Sequence, residues 1–208
     1  MILKSLPERL DKIVLPLMSF TNKLVLGGST ALYMIGAMKR EPQDLDFSLK
    51  ERLTSSELSH IIDFFNLNYE LTSDDYKFEE DDFGGGNMVA NEPTVETVLS
   101  RDLIQLYHYT VDNDNMGLTS INYKIDIFNQ KLVGKSNIVQ TEYQGAMINM
   151  VHPSYCIAAK AKYAFDPRVK ASYKHLADLK EIMEEDNLTQ YYKTARELSK
   201  RPEVSIEL

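Results

Sequence analysis

Three acidic residues stand where their spacing could do chemistry. Asp44 and Asp46 flank Leu45 in a run that alternates polar and apolar, Asp44-Leu45-Asp46-Phe47-Ser48-Leu49. On a strand, residues two apart share a face, so both carboxylates point one way and Leu45 the other. Two like charges that close are costly unless a cation or water neutralises them. Hard oxygen ligands suit Mg²⁺ or Mn²⁺. Alone, such a pair equally describes a solvated strand edge. The third acid is Asp126, between Ile125 and Ile127-Phe128. A buried carboxylate among apolar neighbours is expensive. On a neighbouring strand it would complete a site able to clamp the attacking and leaving oxygens of a phosphoryl group. Gly27-Gly28-Ser29 follows an apolar run and precedes a helical pattern. Glycines let a backbone approach a phosphate closely, although a glycine pair at a tight turn also serves plain geometry.

The elements that must position these residues follow from periodicity. Residues 7–20 read as an amphipathic helix with Leu10, Ile13, Val14, Leu17 and Met18 on one face. Residues 23–26 form a strand, 29–38 a helix, 44–49 a half-buried strand, and 54–66 a helix opened by a Thr-Ser-Ser-Glu capping pattern. Residues 69–72 and 76–79 suggest a hairpin around Ser73-Asp74, and 80–94, with three consecutive glycines, a mobile loop. Residues 103–111 and 120–128 are β-rich, separated by a polar turn at 112–117, and 131–140 suggests one more strand. Helices are expected at 153–165, 170–186 and 188–200. The order gives an α/β (α+β) core over residues 1–151 and a helical C-terminal part over 152–208.

Composition is consistent with one ordinary domain. The chain has 208 residues, 43% hydrophobic and 26% charged. Cys156 is the single cysteine, which leaves no intramolecular disulfide. The start lacks a signal-peptide pattern and no apolar run approaches the roughly 20 residues of a membrane helix, so a cytoplasmic setting without membrane contact is expected. The net charge of −8 makes the whole molecule a poor generic nucleic-acid binder. Residues 152–201 carry ten Lys/Arg against seven Asp/Glu, so this end is mildly basic, either as solvated helix faces or as a surface for a phosphate-bearing substrate. No two of the four histidines sit at zinc-ligand spacing. Tyr107 and Tyr109 share a strand face and could stack on a base or simply pack.

The segment Gly27-Gly28-Ser29-Thr30-Ala31-Leu32, then Arg40, then Asp44-Leu45-Asp46-Phe47, resembles the G-G-[ST]…D-x-D motif of the nucleotidyltransferase superfamily. Within it the sequence looks most like the AbiEii-type group, which includes toxins of toxin–antitoxin systems. The resemblance implies a nucleotidyltransferase-like mixed sheet with helices. It implies that Asp44, Asp46 and Asp126 bind Mg²⁺ or Mn²⁺, and that Gly27, Gly28, Ser29 and Arg40 meet the phosphates of an NTP. Downstream, Ile157-Ala158-Ala159-Lys160-Ala161-Lys162 and Lys174-His175-Leu176-Ala177-Asp178-Leu179 resemble the family's lysine helix and its K-D-x-x-D-L segment, with His175 where an acid is common. Lys160, with Lys162 as its rival, would contact the triphosphate, and Asp178 would orient Lys160 or act as a base. The expected activity is transfer of an NMP to a tRNA end, a protein hydroxyl or a small molecule. An antitoxin or other protein partner fits the same resemblance. A non-catalytic nucleotide- or protein-binding module on the same fold is the alternative.

Overall fold

The computed structural model describes residues 3–80, 86–112, 118–164 and 172–183. The chain opens with α1 (Glu8–Phe20), whose buried residues Leu10, Ile13, Val14 and Leu17 follow helical spacing. It continues through β1 (Leu24–Leu26), α2 (Gly28–Met34), β2 (Asp44–Leu49), α3 (Ser55–Phe65), β3 (Asn68–Tyr69), β4 (Tyr76–Glu80) and β5 (Gly86–Ala90). Then come α4 (Val95–Leu99), β6 (Leu103–Asp112), β7 (Leu118–Leu132), β8 (Ile138–Tyr143), β9 (Ala146–Val151), α5 (Pro153–Ala164) and α6 (Ser172–Met183). The architecture is a mixed sheet with flanking helices and a C-terminal helical segment.

Seven strands form the sheet in the order β3-β6-β7-β2-β1-β9-β8. β1 runs antiparallel to β2 and parallel to β9, while β2 runs parallel to β7. Leu24, Val25 and Leu26 are all fully buried, as befits a central strand covered on both faces. In β2 the alternation holds: Leu45, Phe47 and Leu49 are buried, while Asp44 and Asp46 are half-buried on the opposite face. Thr54 and Glu57 form the expected capping box of α3, and Asn66 closes that helix in the left-handed conformation. Helix α2 stops at Met34, earlier than its apolar pattern suggests, because Gly36 turns the chain at φ +79°.

Several boundaries differ from the sequence reading. Residues 69–72 and 76–79 do not pair with each other. β3 instead joins the edge of the main sheet through β6, and β4 pairs with β5 in a separate two-stranded sheet. The reason is local: Ser73–Asp75 forms a 3-10 turn in which Asp75 accepts from Thr72 and is gripped by Arg101, so the chain veers away rather than folding back. The stretch 80–94 therefore contains a strand, and residues 81–85 lie outside the described residues. The turn at 112–117 is described only at Asp112, and the helix expected at 188–200 lies wholly outside. Residues 131–140 are divided between the end of β7, a 3-10 turn at Lys135–Asn137 and the start of β8. Helix α4 and strand β9 have no counterpart in the sequence reading.

Candidate active site

Parallel pairing of β2 with β7 sets Asp46 directly beside Asp126, and Asp44 beside Lys124. Oxygen atoms of Asp44, Asp46 and Asp126 all lie within 4.8 Å of one another. Burial, then repulsion from Asp44 and Asp126, pushes the Asp46 carboxyl up to about 8, against the attraction of Lys160. Burial also raises Asp126, although Gln105 and Lys124 oppose it. Three crowded carboxylates whose ionised forms repel one another, with oxygen-only donors, fit a divalent cation of the Mg²⁺ or Mn²⁺ type.

The glycine turn holds Asp46 in place. Gly27 N–H donates to the Asp46 carbonyl at 2.8 Å, and Ser29 N–H donates to Asp46 Oδ2 at 3.1 Å. Gly28 sits at φ +54°, and a Cβ there would fall 2.1 Å from Asp46 Oδ2. Thr30 Oγ1 donates to the Asp44 carbonyl at 2.9 Å and ties α2 to β2. Gly28→Ala therefore meets both strain and a clash with a carboxylate oxygen. It should destabilise the fold by about 2 kcal/mol or more and weaken Mn²⁺ binding. Thermal melts with and without Mn²⁺ check both, and an unchanged melting point would contradict this geometry.

Helices α5 and α6 add a charged bridge. Lys160 Nζ donates to Asp178 Oδ2 at 2.7 Å and to Ser29 Oγ at 3.3 Å. Arg40 reaches the same carboxylate through both oxygens, at 3.0–3.2 Å. Burial acts to raise Asp178, but the Arg40 hydrogen bonds and the Lys160 charge outweigh it and hold the carboxyl below its ordinary range. A carboxylate so held orients Lys160 well and is a weak proton acceptor at neutral pH. Together with Gly28, Ser29 and the three acids, these groups line a cleft of about 220 Å³. Lys162 does not line it, since residues two apart on a helix face different ways. His175 lines the cleft as well. Burial and then the Lys160 charge lower its imidazole to about 4, so it is neutral at pH 7.

Two polar neighbours of Asp126 escaped the sequence reading. Gln105 Nε2 donates to Oδ1 at 3.0 Å and Lys124 Nζ to Oδ2 at 2.9 Å. Lys124 carried a usable signal, because it stands two residues before Asp126 and so shares its strand face. Gln105 carried none, since its place depends on the antiparallel register of β6 with β7.

The nucleotidyl transferase AbiEii toxin family (type IV toxin–antitoxin system) matches residues 12–202, a span that contains every one of these groups. The chain belongs to the AbiEii family. No curated protein matches it significantly. Among solved structures it is similar to JHP933 from Helicobacter pylori, at 18% identity and a TM-score of 0.51, over 92% of this chain and 70% of that one. It is also similar to an antigenic nucleotidyltransferase-like protein from Paracoccidioides brasiliensis, at 12% identity and a TM-score of 0.43, over 93% and 87%. The first likeness extends to the fold. Membership of the AbiEii family and the carboxylate cluster together support nucleotidyl transfer as the general function.

Proposed function

We propose that the protein moves an NMP from an NTP to an acceptor hydroxyl and releases pyrophosphate. The observation that carries this reading is the meeting of Asp44, Asp46 and Asp126 within 4.8 Å, on paired parallel strands behind a glycine-serine turn. The three carboxylates would hold Mg²⁺ or Mn²⁺, which when bound supplies positive charge to the phosphate oxygens. Gly28 and Ser29 line the wall on which the triphosphate would lie, and Gly27, outside that lining, anchors the turn to the Asp46 backbone. Lys160, fixed by Asp178, offers an ammonium to the charge that builds on the phosphates. Arg40 holds Asp178 from the other side and exposes part of its guanidinium to the same cleft. The acceptor oxygen bonds to the α-phosphorus as the bond to the β-phosphate oxygen breaks. The hydroxyl proton passes to Asp126, directly or through water. On this reading residues 1–151 supply the carboxylates, and 152–208 supply the lysine and its partner.

Family membership extends the proposal to a toxin-like role in the cytoplasm, acting on a tRNA end, a protein hydroxyl or a small molecule and controlled by a protein antitoxin. Among the described residues no helix is long and apolar enough to cross a membrane. The decisive experiment is incubation with each α-³²P-NTP, Mg²⁺ or Mn²⁺, and a lysate containing RNA and protein. Label is expected on a discrete acceptor with the wild type and not with Asp46→Asn. Absence of label with every nucleotide, together with absent Mg-NTP binding by calorimetry, would overturn the reading in favour of a non-catalytic module.

A further inference from the structure

A second, larger groove is lined by residues of β3, β6 and their flanking segments. Its volume is about 780 Å³, within the usual span for a small-molecule site. Four tyrosines, Tyr69, Tyr76, Tyr107 and Tyr109, line it together with Glu70 and Glu92. Tyr107 and Tyr109 share one face of β6, their rings stacked at 5.8 Å. Glu70 lies near enough to Tyr107 for its charge to bear on the phenol.

The pairing of β6 with β7 links the groove to the carboxylate site. Tyr107 pairs with Lys124 across β6 and β7, two residues along from the pairing of Gln105 with Asp126 and so on the same sheet face. Lys124 Nζ lies 5.7 Å from the Tyr107 ring centroid and 2.9 Å from Asp126 Oδ2. An ammonium thus already rests on a ring of this groove while touching a carboxylate of the site.

Charge decides what the groove accepts. Among the described residues its lining includes no lysine or arginine, and the Lys124 ammonium over Tyr107 is already paired with Asp126. Asp63 and Glu96 stand close enough to act on the Tyr69 hydroxyl, and Arg101 is the opposing cation. Phosphate-bearing acceptors are repelled by such a surface. Amines are attracted twice, by carboxylates and by the tyrosine faces.

We propose that this groove binds a cationic, amine-bearing small molecule, whose hydroxyl is the acceptor of the transfer. The assignment rests on the transfer reading for its chemistry and on the groove alone for its binding. The ligand's alcohol oxygen would bond to the α-phosphorus, its proton leaving to Asp126 and pyrophosphate departing.

Calorimetry at low ionic strength, without nucleotide or metal, tests the binding. The probes are spermidine, the amino-polyol neamine, and a single-stranded RNA octamer. Both amines should bind and the RNA should not. Tyr107→Ala and Glu92→Gln should each weaken amine binding, by about tenfold for the ring. Glu92 is exposed, so its variant keeps the fold if the tyrosine variant does not. Asp46→Asn should leave amine binding unchanged. With α-³²P-NTP and metal, neamine should take label and spermidine, which has no hydroxyl, should not. Failure of both amines to bind, equal binding by both variants, or Tyr107-dependent binding of the RNA would each overturn the proposal. Amine binding in the groove with no transfer from any NTP would uphold the binding site and overturn the transfer reading. Label on RNA with no amine binding would do the reverse.

Discussion

Asp46→Asn should abolish nucleotidyl transfer and, in the same molecule, raise stability when no metal is present. Removing one of three carboxylates from a cation site forfeits several kcal/mol of transition-state stabilisation, a fall of at least about 10³-fold in kcat/KM. The stability gain has a different origin. In the fold the Asp46 carboxyl is raised to about 8 from its ordinary 3.8, by burial and then by Asp44 and Asp126. A raised acid favours the fold fully while protonated, and that contribution is lost as pH climbs through the folded value. The wild type is thus penalised increasingly between about pH 4 and pH 8, and an asparagine carries no such penalty. The gain should reach about 1–2 kcal/mol, roughly 2–8 °C in Tm, at pH 8 in EDTA and should shrink towards pH 5. Mg²⁺ should raise the Tm of the wild type and not of the variant. A variant no more stable than wild type at pH 8 would contradict the crowding of these acids.

Asp178→Ala should act in the opposite sense. Asp178 is 3% exposed and Lys160 5%, so the substitution leaves a buried ammonium facing Arg40 across an empty place. Breaking a buried pair by removing one partner costs about 3–5 kcal/mol, a large share of the stability of a chain this size. The Asp178 carboxyl is held below its ordinary value, so its contribution is present above that value and lost as pH falls through the lower folded one. Wild type should lose this advantage only in strong acid, while the variant lacks it throughout. Denaturant melts at pH 7 and pH 3 measure the difference. Equal stability at pH 7 would show that the bridge is ornamental.

Local patterns gave a faithful account wherever one segment determined its own structure. The alternation of residues 44–49 placed Asp44 and Asp46 on one face, and the Thr54 capping box marked α3, because each depends on neighbours a few residues apart. The readings that failed depended on distant partners. Tyr69 was assigned to a hairpin, but its strand mate is Leu106. β9 was missed because Ala146–Val151 becomes a strand by pairing with β8 and β1. The same division runs through the site. The three acids could be singled out from type and spacing, and Lys160 and Asp178 from the family resemblance of their segments. Their linkage could not: nothing near Arg40 in the chain says that its guanidinium meets Asp178, 138 positions later.

The side-by-side placement of Asp46 and Asp126 has a consequence for how the protein comes into being. The pair is joined by strand register across 80 positions, and the lysine bridge adds residues later still. During synthesis the first two acids emerge with nothing to oppose them, then the third, and only afterwards the ammonium and its carboxylate. Contacts this distant in sequence form late, because the intervening chain must first be ordered. A ribosome-bound fragment ending before residue 178 therefore carries acids without the machinery that makes them useful. On the proposed reading, transfer would therefore await completion of the fold.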